Sequence, residues 1–187
     1  MITVVEYHPG WPARFEQLRA AYAQALEAAR VPYRGIEHVG STAVPGLAAK
    51  PVIDVDVVVA GPDVEAASAA LGGLGFEPRG DLGIAGRYAF EAPERFAPTH
   101  TYVAVEGCLA LRNHLAVRDA LRADDALRDE YGEVKRRAGV EAADIDEYLL
   151  LKSDVLGRIL RRGGLSEDER TAIAATNRGI ARRGAQG

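Results

Sequence analysis

The sequence predicts an α/β (α+β) protein, a small β-sheet with flanking helices followed by a helical C-terminal half. Three observations predict it. Residues 52–59, Val-Ile-Asp-Val-Asp-Val-Val-Val, are almost all β-branched and apolar, the pattern of a buried central strand. Trp11, Phe15, Leu18, Tyr22, Leu26 and Ala29 recur at spacings of four, three, four, four and three, which makes one apolar stripe of a helix over about 11–30. Stretches of about 108–122, 124–138 and 144–162 show helical periodicity.

The remaining elements follow in order. Residues 2–6 read as a short strand and Tyr7-His8-Pro9-Gly10 as a turn. Pro12 falls in the first turn of the first helix, where a missing N–H is tolerated. A short strand ending at Gly40 precedes the central strand, and Gly61-Pro62 ends the latter. Asp63 is placed to cap a helix over about 64–73. After a brief extended piece at Phe76-Glu77-Pro78, residues 84–91 and 99–106 read as two strands that can pair as a hairpin. Gly139 is expected to break the helical half. Gly163-Gly164 is the clearest boundary, and Ser166-Glu167-Asp168-Glu169 has capping-box spacing for a last helix to about 182.

At 187 residues, the chain is long enough to bury a substantial core. Residues 1–162 are expected to form one domain, sheet-rich over 1–106 and helical over 107–162, with 163–187 as a helical tail. A net charge of −4 argues against a general nucleic-acid-coating surface. No stretch approaches about 18 consecutive apolar residues, so no membrane span is expected. The N-terminus has neither the basic nor the apolar region of a secretory signal, and the expected location is cytoplasmic. The single cysteine, Cys108, fits a reducing compartment and reads as a packing residue.

Chemistry concentrates in residues 35–59. Asp54 and Asp56 interrupt the apolar strand at i and i+2, so both side chains share a face, roughly 6–7 Å apart. Like charges on a buried strand call for a cation between them or an opening to water. A hard divalent ion, Mg²⁺ or Mn²⁺, with oxygen ligands and substrate phosphates suits such a pair. Gly40, Ser41 and Thr42 form a turn whose amides and hydroxyls can face an anion. No P-loop can be placed across it. Of the acids near strand ends that could complete a metal site, Glu91 and Glu106, Glu106 is preferred because it shares a strand face with His100. Lys50 leads into the central strand, and Glu37 and His38 flank the turn; His38 suits either a base or a hydrogen-bonded core histidine. In the helical half, Lys152 lies on the stripe of Ile145, Leu149, Leu156 and Ile159. Arg118 lies in line with Leu111, Leu115 and Arg122, and Lys135 edges the stripe of Leu127, Tyr131, Val134 and Ala138. These cations can converge on a triphosphate, form internal ion pairs, or snorkel to the surface.

A glycine-hydroxyl turn followed by an Asp-x-Asp strand resembles the nucleotidyltransferase superfamily signature. The longer run from Ile36 to Asp56 resembles the hallmark segment of the GrpB family, a branch with a nucleotidyltransferase-like fold. The resemblance extends to the Tyr-x-Pro-x-Trp opening at Tyr7 and to Arg87 and His100. It also takes in the His114–Arg122 run and the pairs Tyr131/Lys135 and Tyr148/Lys152, covering about residues 7–160. Val117 and Ala120 stand where that family usually carries aromatics. The resemblance implies a small mixed sheet, with Arg87, His100 and the helical cations among the ligand-binding residues. The expected activity is Mg²⁺-dependent transfer of a nucleoside monophosphate from an NTP to a small acceptor, with Asp54, Asp56 and Glu106 as catalytic carboxylates. A non-catalytic nucleotide- or phosphate-binding module is the alternative, and a metal-dependent phosphohydrolase comes third.

Overall fold

The computed structural model describes residues 3–142, 147 and 150–184, with side chains of the last helix described through 176. The chain divides into two compact units, one comprising Pro9–Ala43 and Val52–Arg112, the other Met1–His8, Val44–Pro51 and Asn113–Gly187. Segment 44–51 groups with the helices.

In the sheet unit, α1 (Trp11–Ala28) leads to β1 (Gly35–Val39) and then β2 (Ile53–Val59). After β2 come α2 (Val64–Gly73), β3 (Glu77–Gly80), β4 (Arg87–Glu91) and β5 (Thr99–Val105). The strand order is β1-β2-β5-β4-β3. β2 pairs antiparallel with β1 and parallel with β5, and β4 pairs antiparallel with β5 and β3, so the sheet is mixed as expected. A strand hydrogen-bonded on both sides needs β-branched residues, and Ile53, Val55, Val57, Val58 and Val59 are all buried.

Strand alternation gives the sheet two unlike faces. His38, Val55 and Thr101 share a register row and therefore one face. α1 packs there: Phe15 stacks on His38 with ring centroids 4.6 Å apart, and the Tyr22 hydroxyl lies 2.7 Å from Thr101 Oγ1. Phe76, just before β3, meets the Tyr22 ring edge-on at 5.3 Å. The opposite face carries Asp54 and Asp56.

Several expectations shift in detail. The proposed strand at 2–6 reduces to a single bridge between Val5 and Ala49. Asp63 sits at the N-cap of α2 but its side chain makes no capping bond, because a 3₁₀ turn at Gly61–Asp63 already leads the chain into the helix. The hairpin of β4 and β5 forms as expected, but β4 begins only at Arg87, after left-handed turns at Gly83 and Gly86 with φ of 75° and 76°.

The helical unit carries α3 (Leu109–Ala123), α4 (Asp125–Glu141), α5 (Ser153–Arg162) and α6 (Glu167–Gly184). The Asp124 carboxylate accepts from the Leu127 amide at 3.0 Å and caps α4. Gly139 does not break α4, which runs through it to Glu141; one interior glycine costs only about 1 kcal/mol against alanine. Ile145, Tyr148 and Leu149 lie outside the described residues. The capping box is reciprocal: Ser166 N donates to Glu169 at 2.8 Å, and Glu169 N donates to Ser166 Oγ at 3.3 Å.

The core of this unit joins Leu121, Tyr131, Val155 and Ile159 to Val44 and Leu47 from segment 44–51. Gly132 packs beside Leu47, whose Cδ1 lies 3.5 Å from where a Cβ would stand. Lys135 Nζ, buried, donates to the Ala48 carbonyl at 2.7 Å.

Burial pushes the Tyr22 phenol up to about 12, with the Thr101 hydrogen bond acting the other way. The unfolded phenol ionises near 10, so its contribution to stability is complete below about pH 10 and is lost as pH rises through 12. The expected loss is roughly 2–3 kcal/mol. Urea unfolding between pH 9 and 12 should show a falling midpoint that is flatter in Tyr22→Phe.

Candidate functional site

Period-2 geometry places Asp54 and Asp56 on the face opposite α1, and the register shows what surrounds them. Asp54 pairs with Val39 on β1 and His100 on β5; Asp56 pairs with Glu37 on β1 and Tyr102 on β5. Arg87 on β4 pairs with Ala104, two residues beyond Tyr102, and so shares this face. One side of the sheet thus gathers carboxylates, an imidazole, a phenol and a guanidinium from four strands.

Asp54 is the accessible carboxylate, its side chain 27% exposed, and its Oδ1 lies 2.9 Å from His100 Nδ1. Asp56 is fully buried. The backbone of Gly40 lies against Asp54: a Cβ at position 40 would stand 2.1 Å from Asp54 Oδ2, and φ there is +69°. Only glycine meets both conditions. The Tyr102 phenol is pushed up to about 12, first by burial and then by the negative charge of Asp54, against the opposing charge of Arg87. The Arg87 guanidinium carbon sits 4.5 Å from the centre of the Tyr102 ring.

Behind the turn, Ser41–Ala43 forms a 3₁₀ turn. Thr42 is buried, and its Oγ1 donates to the Val52 carbonyl at 3.2 Å. His38 Nε2 lies 3.0 Å from the same oxygen, and with the hydroxyl proton committed to Val52 the imidazole is the donor. His38 and Thr42 therefore hold the turn from beneath. Of the expected cradle, Gly40 lies against Asp54 and Ser41 is half-buried.

Other expected residues are placed elsewhere. Glu106 lies beyond the far end of β5, where its amide donates to the Val59 carbonyl and its carboxylate is 3.1 Å from Arg34. That is five residues along β2 from Asp54, roughly 16 Å. The parallel register of β5 on β2 puts Glu106 at the far end of the sheet, and the structure does not bring it to the aspartates. Glu91, two strands from Asp54, lies 3.3 Å from Arg79. Among the described residues, no group of three or more His, Cys, Asp or Glu side chains is arranged to hold a metal ion. The remaining cations belong to the helical unit: Lys50 is exposed, and Arg118 is bonded to Asp119 at 2.7 Å. Lys135 is committed to the Ala48 carbonyl, and Lys152 stands at the N-cap of α5.

Sequence reasoning missed Tyr102 and underused Glu37. Folding residues 35–39 back onto 53–59 about the turn pairs Glu37 with Asp56, and Tyr102 follows His100 by one strand period.

A family model described as GrpB protein matches residues 1–162. The chain belongs to the GrpB family. The UPF0157 protein YqkA of Bacillus subtilis is 30% identical over 161 residues, 82% of this chain and 44% of that protein. A UPF0157 protein of Pseudomonas aeruginosa is 47% identical over 78 residues, 41% of this chain and 31% of that protein. This GrpB-family chain thus spans less than half of these two relatives. A UPF0157 protein of Streptomyces coelicolor is 35% identical, over 87% of this chain and 84% of its own length. Among solved structures, the conserved protein GrpB from Enterococcus faecalis superposes with a TM-score of 0.71 at 30% identity, covering 86% of this chain and 98% of that one. The Cid1 poly(U) polymerase bound to MgATP superposes with a TM-score of 0.53 at 18% identity, covering 79% of this chain and 50% of that chain. The fold is nucleotidyltransferase-like.

The close approach of Gly40 predicts that Gly40→Ala destabilises the protein by roughly 2 kcal/mol or more. Gly72→Ala, in α2 with nothing within 4 Å of the added methyl, should instead stabilise it by about 0.5–1 kcal/mol. Calorimetric melting of the two variants checks both signs.

Proposed function

We propose that this GrpB-family protein is a Mg²⁺-dependent nucleotidyltransferase, moving a nucleoside monophosphate from an NTP to a small acceptor on the polar face of its sheet. The observation that carries this reading is the pair Asp54 and Asp56 on one face of the central strand, with the Gly40 backbone against the first of them.

The donor set fits Mg²⁺, which takes oxygen ligands and, when held by one or two carboxylates, completes its shell with water and substrate phosphates. Bound there, the ion would neutralise charge on the phosphates during transfer. The protein's own groups have separable tasks. Asp54 and Asp56 present the oxygens, while His100 fixes the Asp54 carboxylate through its 2.9 Å hydrogen bond. Gly40 and Ser41 offer the turn to a phosphate, and His38 with Thr42 keeps that turn in place from the other side of the sheet.

A nucleotide-binding module without turnover is the second reading. It is favoured by the position of Glu106, which is bound to Arg34 and leaves the two aspartates without the acid expected to complete their site.

The test is calorimetric titration of ATP, GTP, CTP and UTP, with and without Mg²⁺, on wild type and on Asp54→Asn/Asp56→Asn. Mg²⁺-dependent binding is expected, weakened about a hundredfold or more in the double variant. Pyrophosphate release in the presence of an acceptor supports transfer, and binding without release supports the module. No nucleotide binding with any divalent ion contradicts both.

A further inference from the structure

We propose that Arg87, laid on the ring of Tyr102, receives the phosphate chain of the ligand on the carboxylate face, with Tyr102 as its positioning residue. This rests on the reading of that face as a nucleotide site and names the part of the ligand that Arg87 recognises.

The argument starts from what the guanidinium has used and what it has left. Its flat face is taken up by the Tyr102 ring, 4.5 Å below. Stacking of this kind holds the group in orientation and leaves the N–H donors along its edge unspent. One of those donors, Nε, is buried and has no hydrogen-bond partner among the described residues. A buried donor of a charged group without an acceptor is destabilising, and such a group in a native site calls for an occupant. The acceptor must be anionic and able to share a face with Asp54 and Asp56, and phosphate neutralised in part by a divalent ion meets both conditions.

Geometry favours a chain of phosphates over a single one. Arg87 and Asp56 stand two strands apart and one strand period out of level, roughly 12 Å between backbones. The long arginine side chain turns back over Tyr102, which occupies the strand between them. The guanidinium therefore lies over β5, one strand from the carboxylates, where the far phosphates of a chain anchored at Asp54 and Asp56 can reach it.

The experiment is titration of inorganic triphosphate with Mg²⁺, followed by calorimetry and by the arginine Nε–H resonances of ¹⁵N-labelled protein. The Arg87 resonance is identified by its loss in Arg87→Gln. Wild type should bind, and its Arg87 Nε–H signal should shift to saturation. Arg87→Gln should weaken binding about ten- to a hundredfold. Tyr102→Phe, which keeps the ring, should stay within about twofold of wild type, and Tyr102→Leu should lose severalfold. If wild type binds while the Nε–H signal stays still, or Arg87→Gln binds equally well, the assignment of Arg87 is overturned and the nucleotide site stands. Binding of Mg²⁺–NTP without binding of Mg²⁺–triphosphate overturns it too. Failure of wild type to bind either ligand removes both proposals together.

Discussion

The architecture turns on burying β2. This strand lies in the sheet interior, hydrogen-bonded to β1 and β5, and most of its side chains are apolar and buried. It also carries two carboxylates on one face, one of them fully buried. Desolvating like charges side by side is costly, and a sequence under no other demand would place valine there. The structure eases the strain on Asp54 by partial exposure and by His100. The Gly40 backbone closes over the same carboxylate, which ties the shape of the turn to the position of the charge.

Strand alternation then separates support from chemistry. His38 and Thr42 are close in sequence to Gly40 and Ser41, yet they point into the α1 side and spend their hydrogen bonds on each other and on Val52. The segment 36–56 is long because it serves two units. Its ends build β1, the turn and β2, while Val44 and Leu47 enter the helical core and Ala48 accepts from buried Lys135.

Much of this was legible in the sequence because it depends on local period. The α1 stripe, the valine-rich strand, the shared face of Asp54 and Asp56 and the Ser166–Glu169 capping box all follow from spacing alone. What failed depends on long-range register. The level of Glu106 along β2 is set by pairing with a strand some fifty residues away, which no local pattern encodes. Lys135 was read as a cation on the edge of a helix stripe; that it is buried and donates to a backbone carbonyl 87 residues distant was not visible. Tyr102 is singled out only by the sheet order, which sets Arg87 above it.

The central claim is that the polar face of the sheet holds a metal–nucleotide complex at Asp54 and Asp56. A crystal structure with Mn²⁺ and a non-hydrolysable NTP analogue tests it directly, since the anomalous signal of manganese locates the ion without reference to the protein. The account predicts a peak within coordination distance of both carboxylates, bridged to the phosphates of the analogue. An ordered analogue whose metal lies away from Asp54 and Asp56 would contradict it.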